Sequence, residues 1–378
     1  MQPTISTLPL IQLASGDLLS LQVYKFQGAA PGKKVYIQSN LHGSEISGNA
    51  VIHQLIADLI KLDETQLLGE IWLVPVCNPV GVNQRAHHFS SGRYNSYDGK
   101  DWNRIFWDYE KTEVDLAEFA RSQQHLSGTE IQQNYRKKIL ESFHNLTEKT
   151  KSPNQVPYSE YYRHILQSLC LDADYVIDLH SSTNQAIDYL YCFHSREESA
   201  KAFLLDYGIL MNDYDGDAFD EAFLKPWLAL EKQLSHLGKP IQFDIESWTL
   251  ELGSGMIMNP ESVEKGIIGI KNYLASKNLL KLDGFPLPET ANHPLKLVLK
   301  SHLKNYYATT GGMIQNRVEL GSSVKTGQPL YEILSFNKTE NLPKIVEVKA
   351  ESNGIIFNVS TNHSVNQCDY VLSIMEQI

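Results

Sequence analysis

Three stretches near the start of the chain restrict its fold more than any other feature. Val35-Tyr36-Ile37 is a short apolar run, Ile46 to Ile60 carries apolar residues at helical spacing, and Glu70 to Val76 is a second apolar run stopped by Asn78-Pro79. Short continuous apolar runs read as buried strands, and a period near 3.6 reads as an amphipathic helix. Strand, helix, strand at this spacing implies an α/β sheet with helices on its faces. Residues 8 to 26 alternate between apolar and polar about Gly16-Asp17, which predicts an antiparallel pair. Asp174 to His180, Tyr189 to Phe193 and Gln242 to Leu252 read as further strands. Residues 197 to 236 read as mostly helical, and Glu261 to Leu279 as an amphipathic helix.

The 378 residues exceed one typical domain. The best boundary is the Gly- and Pro-rich Asp283-Gly284-Phe285-Pro286-Leu287-Pro288, after which short β runs with Gly turns replace helices. This predicts a first unit over 1–285, with a helical insertion at about 105–169 broken near Lys151, and a small all-β barrel or sandwich over 290–378. Two segments of the second unit look alike: Gly311 to Ile314 followed by Gly321 to Val324, and Ser352 to Ile356 followed by Ser364-Val365. They suggest two similar halves. Their turns resemble those of biotinyl/lipoyl barrels, but no Met-Lys-Met presents an acceptor lysine. Lys325 is therefore expected to be a plain turn residue.

A net charge of −11 without a Lys/Arg run argues against a nucleic-acid surface or an anionic membrane as partner. No basic n-region opens the chain, and no apolar run reaches the length of a membrane span. Cys77, Cys170, Cys192 and Cys368 lack Cys-x-x-Cys spacing, and Cys77 and Cys170 sit in or beside apolar runs. A reducing cytoplasm is the expected location.

Chemistry gathers where strands end. His42 and Glu45 lie three apart between the first strand and the first helix, with Gly43 expected to allow a tight turn. His180 ends another strand, and Asp178 shares its face because side chains alternate. A hydrolytic zinc needs three protein ligands and an open position for water. His42, Glu45 and His180 would supply the ligands, and Asp178 could hold the free nitrogen of His180. Glu251 is the candidate general base, with Glu246 as the alternative; five apart on a strand, only one of them can face the metal. Residues 80–104 form a long polar loop containing Arg85, Arg93 and Arg104, candidates for reading a substrate carboxylate with Asn103 as an amide partner. Sequence leaves open whether Arg85 or Arg93 faces the zinc.

The ordered set His42-x-x-Glu45, Asn78-Pro79, Arg93-x4-Asp98-Gly99-x-Asp101-Trp102-Asn103-Arg104, Asp178-Leu179-His180 and Glu251-Leu252-Gly253 resembles the succinylglutamate desuccinylase/aspartoacylase family of the zinc carboxypeptidase clan. The resemblance implies a mixed-sheet α/β/α sandwich and one zinc held by His42, Glu45 and His180. It further implies Glu251 as acid/base, Arg93 polarising the scissile carbonyl, and Asn103 and Arg104 holding the substrate carboxylate. The implied substrate is a small N-acyl amino acid. A carboxypeptidase or peptide amidase and a non-catalytic zinc- or ligand-binding protein are the alternatives, and a homo-oligomer is possible. Trp102 stands where the family often has Leu, and the insertion after residue 105 is longer than the family leads one to expect, so it could cap or reshape the pocket.

Overall fold

The structure, a computed structural model, describes residues 1–89, 91–112, 115–150, 156–214, 216–339 and 341–376. Its centre is a nine-stranded mixed sheet. In spatial order the strands are Thr4–Gln12, Leu18–Gln27, Leu68–Val74, Ala30–Ser39, Tyr175–Ser182, Glu246–Ser254, Tyr189–Phe193, Tyr207–Met211 and Lys296–Leu299. The middle four run parallel to one another, and Tyr189–Phe193 is antiparallel to Glu246–Ser254. Strands covered on both faces are buried along their length and read as near-continuous apolar runs. Accordingly Val35 to Ser39 and Tyr175 to Ser181 are buried without a break.

Helices Ser47–Ile60 and Pro260–Ser276 cover one face, where Val35, Ile37, Ile52, Trp248 and Tyr273 share a core. On the other face Tyr36, Val176, Phe219, Trp227 and Tyr162 join a second core beneath helix Phe219–His236 and the insertion. The insertion contributes helices Leu116–Ser122, Gly128–Thr150 and Tyr158–Ser168. Its expected break at Lys151 to Asn154 lies outside the described residues. This is the α/β/α arrangement expected, with antiparallel strands at the C-terminus. Two local expectations fail. Tyr207–Met211 is a strand inside the stretch read as helical, and Pro79–Asn83 is a short helix inside the stretch read as loop.

After Leu299 the chain builds two further sheets around Leu330, Ile333, Ile356, Val371 and Ile374. The two look-alike segments interlock. Ser323–Val324 of the first pairs with Gly354-Ile355 of the second, and Ser364–Val365 of the second pairs with Gly312-Met313 of the first. Lys325 opens the turn that returns at Gln328. The boundary read at 285–290 does not partition the strands. Lys296–Leu299, beyond it, extends the main sheet alongside Tyr207–Met211, and Gln185–Ala186, before it, pairs with Gly354–Val359 of the C-terminal sheet.

Candidate active site

The loop after Ala30–Ser39 is held by backbone-to-backbone packing. A Cβ on Gly43 would fall 2.1 Å from the carbonyl oxygen of Gly81, and one on Gly92 would fall 2.2 Å from the same atom. Gly43 is thus required for close approach. The left-handed residue of the turn is Asn40 (φ 66°), so Gly43 serves the turn through its missing side chain rather than through a positive φ. Asn40 donates its side-chain amide to the Glu45 carbonyl at 2.9 Å. Asn78 caps the helix Pro79–Asn83 and donates to the Leu41 carbonyl at 2.8 Å. These bonds fix where His42 and Glu45 point.

His42, Glu45 and His180 converge, with ligand atoms all within 4.8 Å of one another. All are almost fully buried. Glu45 faces both rings: its Oε1 is 2.9 Å from His42 Nδ1 and its Oε2 is 2.7 Å from His180 Nδ1. The remaining nitrogens also meet carboxylates, His42 Nε2 at 2.9 Å from Asp101 Oδ1 and His180 Nε2 at 2.9 Å from Asp178 Oδ2. Burial opposes charge on either ring, but the carboxylates on both sides win and raise both imidazole pKa values. Burial would likewise raise the Glu45 pKa, but the His42 and His180 charges take it well below the ordinary carboxylate range. A cation replacing the two Nδ1 protons would leave each Nε2–H on a carboxylate, the usual support for a metal-ligating histidine. Two imidazoles, one carboxylate and these supports fit a metal ion.

Glu251 is the register partner of His180 on the adjacent strand, and Tyr189 is its partner on the next. The carboxylate is half-buried at the wall of a cavity of about 570 Å³ lined also by His42, Glu45 and His180. Its Oε2 is sealed from solvent without a hydrogen-bond partner. Burial first, then the Glu45 charge, pushes its pKa up to about 7. Glu246 belongs to the opposite end of the strand, bonded to Ser199, Tyr273 and Lys277 at 2.8, 2.6 and 2.6 Å.

Of the three loop arginines, Arg93 reaches the cluster. Its Nη1 lies 3.1 Å from Thr183 Oγ1 and 3.9 Å from Glu45 Oε1, and its Nε is 3.0 Å from Asp101 Oδ2. Arg104 and Asn103 line the same cavity. Asn103 Oδ1 accepts from the Phe219 N–H at 2.8 Å, so its amide nitrogen is what remains to offer a ligand. Arg85 does not join them. Its guanidinium caps the carbonyls of Val82 and Gln84 on the surface, which corrects its assignment as a substrate anchor.

The pattern for the succinylglutamate desuccinylase/aspartoacylase catalytic domain matches residues 31–276. The chain belongs to that family. A comparison with curated protein sequences finds no match. Among solved structures, a protein described as a succinylglutamate desuccinylase/aspartoacylase from Shewanella frigidimarina NCIMB 400 superposes with a TM-score of 0.87 at 26% identity, covering 100% of this chain and 98% of that one. A family protein from Shewanella amazonensis SB2B gives 0.86 at 28%, covering 98% of each chain. The ectoine utilization protein EutE (DoeB) from Ruegeria pomeroyi shares the fold, with a TM-score of 0.68 at 16% identity over 100% of this chain and 96% of that one. Membership in the succinylglutamate desuccinylase/aspartoacylase family places the chain among amide-bond hydrolases. Among the described residues, no helix is long and apolar enough to cross a membrane.

Within this family framework, Trp102 is not a pocket residue. It is fully buried, edge-on to Tyr158 and Tyr162 of the insertion with ring centroids 6.1 and 5.3 Å away. The described insertion supplies no residue to the cavity wall, so it supports the loop from behind rather than capping the pocket. Sequence reasoning missed Asp101, Tyr189, Asp220 and Lys300, the last three lining the cavity. Lys300 follows the Lys296–Leu299 strand, and Asn358 of the C-terminal sheet donates to Ser182 Oγ at 2.8 Å beside the cavity. Only Asp101 carried a signal, its place in the Asp-Trp-Asn-Arg run.

Proposed function

We propose that the protein is a zinc-dependent deacylase hydrolysing the amide bond of a small N-acyl amino acid. The observation that carries this is the unpartnered Glu251 Oε2 beside the His42, Glu45 and His180 cluster. A site that only bound metal would have no use for a half-buried carboxylate with one sealed, unpartnered oxygen and a raised pKa next to its ligands. His42, Glu45 and His180 would hold one zinc, with Asp178 keeping the His180 tautomer. When bound, zinc lowers the pKa of a water and polarises a carbonyl. Glu251 accepts the proton of the attacking water and returns it to the leaving nitrogen. Arg93 donates to the oxygen on which negative charge develops. The Asn103 amide and the Arg104 guanidinium bind the substrate carboxylate.

We take 1–285 as the catalytic unit, with its helical insertion at about 105–169, and 290–378 as the small β unit, each contributing one strand to the other. The proposed setting is the cytoplasm, in keeping with the free cysteines, of which Cys77, Cys170 and Cys192 are buried. The partner is the small-molecule substrate. The experiment is a panel of N-acetyl, N-succinyl and N-formyl amino acids with dipeptides as controls. Turnover of an N-acyl amino acid is expected. Turnover of dipeptides alone would make the protein a carboxypeptidase, and none at all with zinc bound would make it a binding protein.

A further inference from the structure

Asp101 sits at a junction that neither the metal ligands nor the substrate anchors explain alone. One carboxylate makes three bonds. Oδ1 accepts from His42 Nε2 at 2.9 Å and from the Asn103 backbone N–H at 2.8 Å, and Oδ2 accepts from Arg93 Nε at 3.0 Å. The Trp102 N–H also bonds the Arg93 carbonyl at 3.1 Å, closing residues 93–103 into a short ring of contacts around the Asp101 side chain. Asp178, which plays the matching part for His180, has a second oxygen without a partner. The two histidine supports are therefore unequal. Among the described residues Asp178 hydrogen-bonds His180 alone, whereas Asp101 bonds the cluster, the arginine above it and the turn that carries Asn103 and Arg104.

Resting on the metal site proposed above, we infer that Asp101 is a positioning residue that couples metal binding to substrate binding. A cation held by His42 through Nδ1 would leave Nε2 protonated and donating to Asp101, which would strengthen that bond and fix the carboxylate. The fixed carboxylate orients the Arg93 fork and the Asn103 turn toward the cavity. Coupling between two binding events is reciprocal, so an anion seated on Arg93 and Arg104 tightens the metal by the same factor.

The test compares Asp101→Asn with Asp178→Asn, with zinc affinity read by competition against a chromophoric chelator. Succinate, as anion probe, is titrated calorimetrically into zinc-saturated protein. Both variants are expected to lose about 10–100-fold in zinc affinity. Only Asp101→Asn is expected to lose succinate affinity at saturating zinc, by about fivefold or more. It should also shrink the factor by which succinate tightens zinc. Combining Asp101→Asn with Arg93→Lys should cost less than the sum of the two. Thermal melting monitors folding, and Asp101→Glu, which keeps the charge, should recover part of the coupling. Equal succinate affinity in Asp101→Asn and Asp178→Asn would overturn the inference, as would strict additivity with Arg93→Lys. Failure of the unaltered protein to bind zinc would instead overturn the metal site, and with it the coupling.

Discussion

Glu251 lies opposite His180 in the hydrogen-bond register of two parallel strands. Neighbours in register point to the same side of a sheet, so the proposed base and a proposed metal ligand share a face by construction. Glu246, an odd number of positions away, is turned to the helix Pro260–Ser276, where Tyr273 and Lys277 hold it.

Opposite facings should separate the two carboxylates by experiment. Glu251→Gln is expected to keep zinc content and fold while kcat falls by roughly 10²–10⁴-fold. Glu246→Gln should leave kcat nearly unchanged and cost about 1.5–3 kcal/mol of stability through its lost charged hydrogen bonds. Steady-state kinetics and denaturant unfolding check both. Unaltered turnover in Glu251→Gln would remove the proposed mechanism.

Acidity should report the same residue. Glu251 must be ionised to take a proton, so kcat/KM should fall as pH drops through its pKa. Burial and the Glu45 charge place that pKa at about 7, up from 4.5, and a bound cation pulls it part of the way back. The acidic limb is therefore expected between these values in a pH–rate profile, and it should be absent from the residual activity of Glu251→Gln. A wild-type limb below 4.5 would show that Glu251 is not the titrating base.

Removal of metal should abolish turnover while leaving the sheet folded. Dialysis against a chelator, followed by zinc at about 100 times its Kd, should restore activity and add about 2.7 kcal/mol of stability. Full activity after exhaustive chelation would refute the zinc assignment.

The two outermost loop arginines should behave differently. Arg104→Ala is expected to raise KM for a carboxylate-bearing substrate by roughly tenfold or more, because a charge sealed beneath a bound ligand loses its partner. An amidated substrate should show no such loss. Arg85→Ala should change neither, since its guanidinium caps a helix end.

Trp102 should act through packing. Trp102→Ala leaves a hole against Tyr158 and Tyr162 and is expected to cost about 3–5 kcal/mol in denaturant unfolding. Trp102→Leu should cost less. KM should rise with the loss of stability, since the Asn103-Arg104 turn is the next piece of chain. A KM change without loss of stability would place Trp102 in the pocket after all.

The strand–loop–helix that carries His42 and Glu45 was legible because its periods change sharply at the loop, and Asp178-x-His180 because alternation fixes which residues share a face. What sequence could not give depended on distance along the chain. Asp101 meets His42 across 59 positions, so no local pattern announces the bond. Arg85 and Arg93 look alike in a polar loop, and only the packing of Gly43, Gly81 and Gly92 decides which faces inward. Tyr207–Met211 was hidden inside a helical reading because it is short and does not alternate. The Gly/Pro-rich segment at 283–288 correctly marked a change of composition, but composition does not say which sheet the following strand joins.

Lys296–Leu299 completes the main sheet and Gln185–Ala186 enters the C-terminal one, so each unit holds an edge of the other's hydrogen-bond ladder. Neither can melt without stripping a strand from its neighbour and exposing Tyr189 and Phe357, whose rings meet edge-on between them at 5.8 Å. The chain is modular in sequence but cooperative in thermodynamics, and calorimetry should record one transition where the composition suggests two.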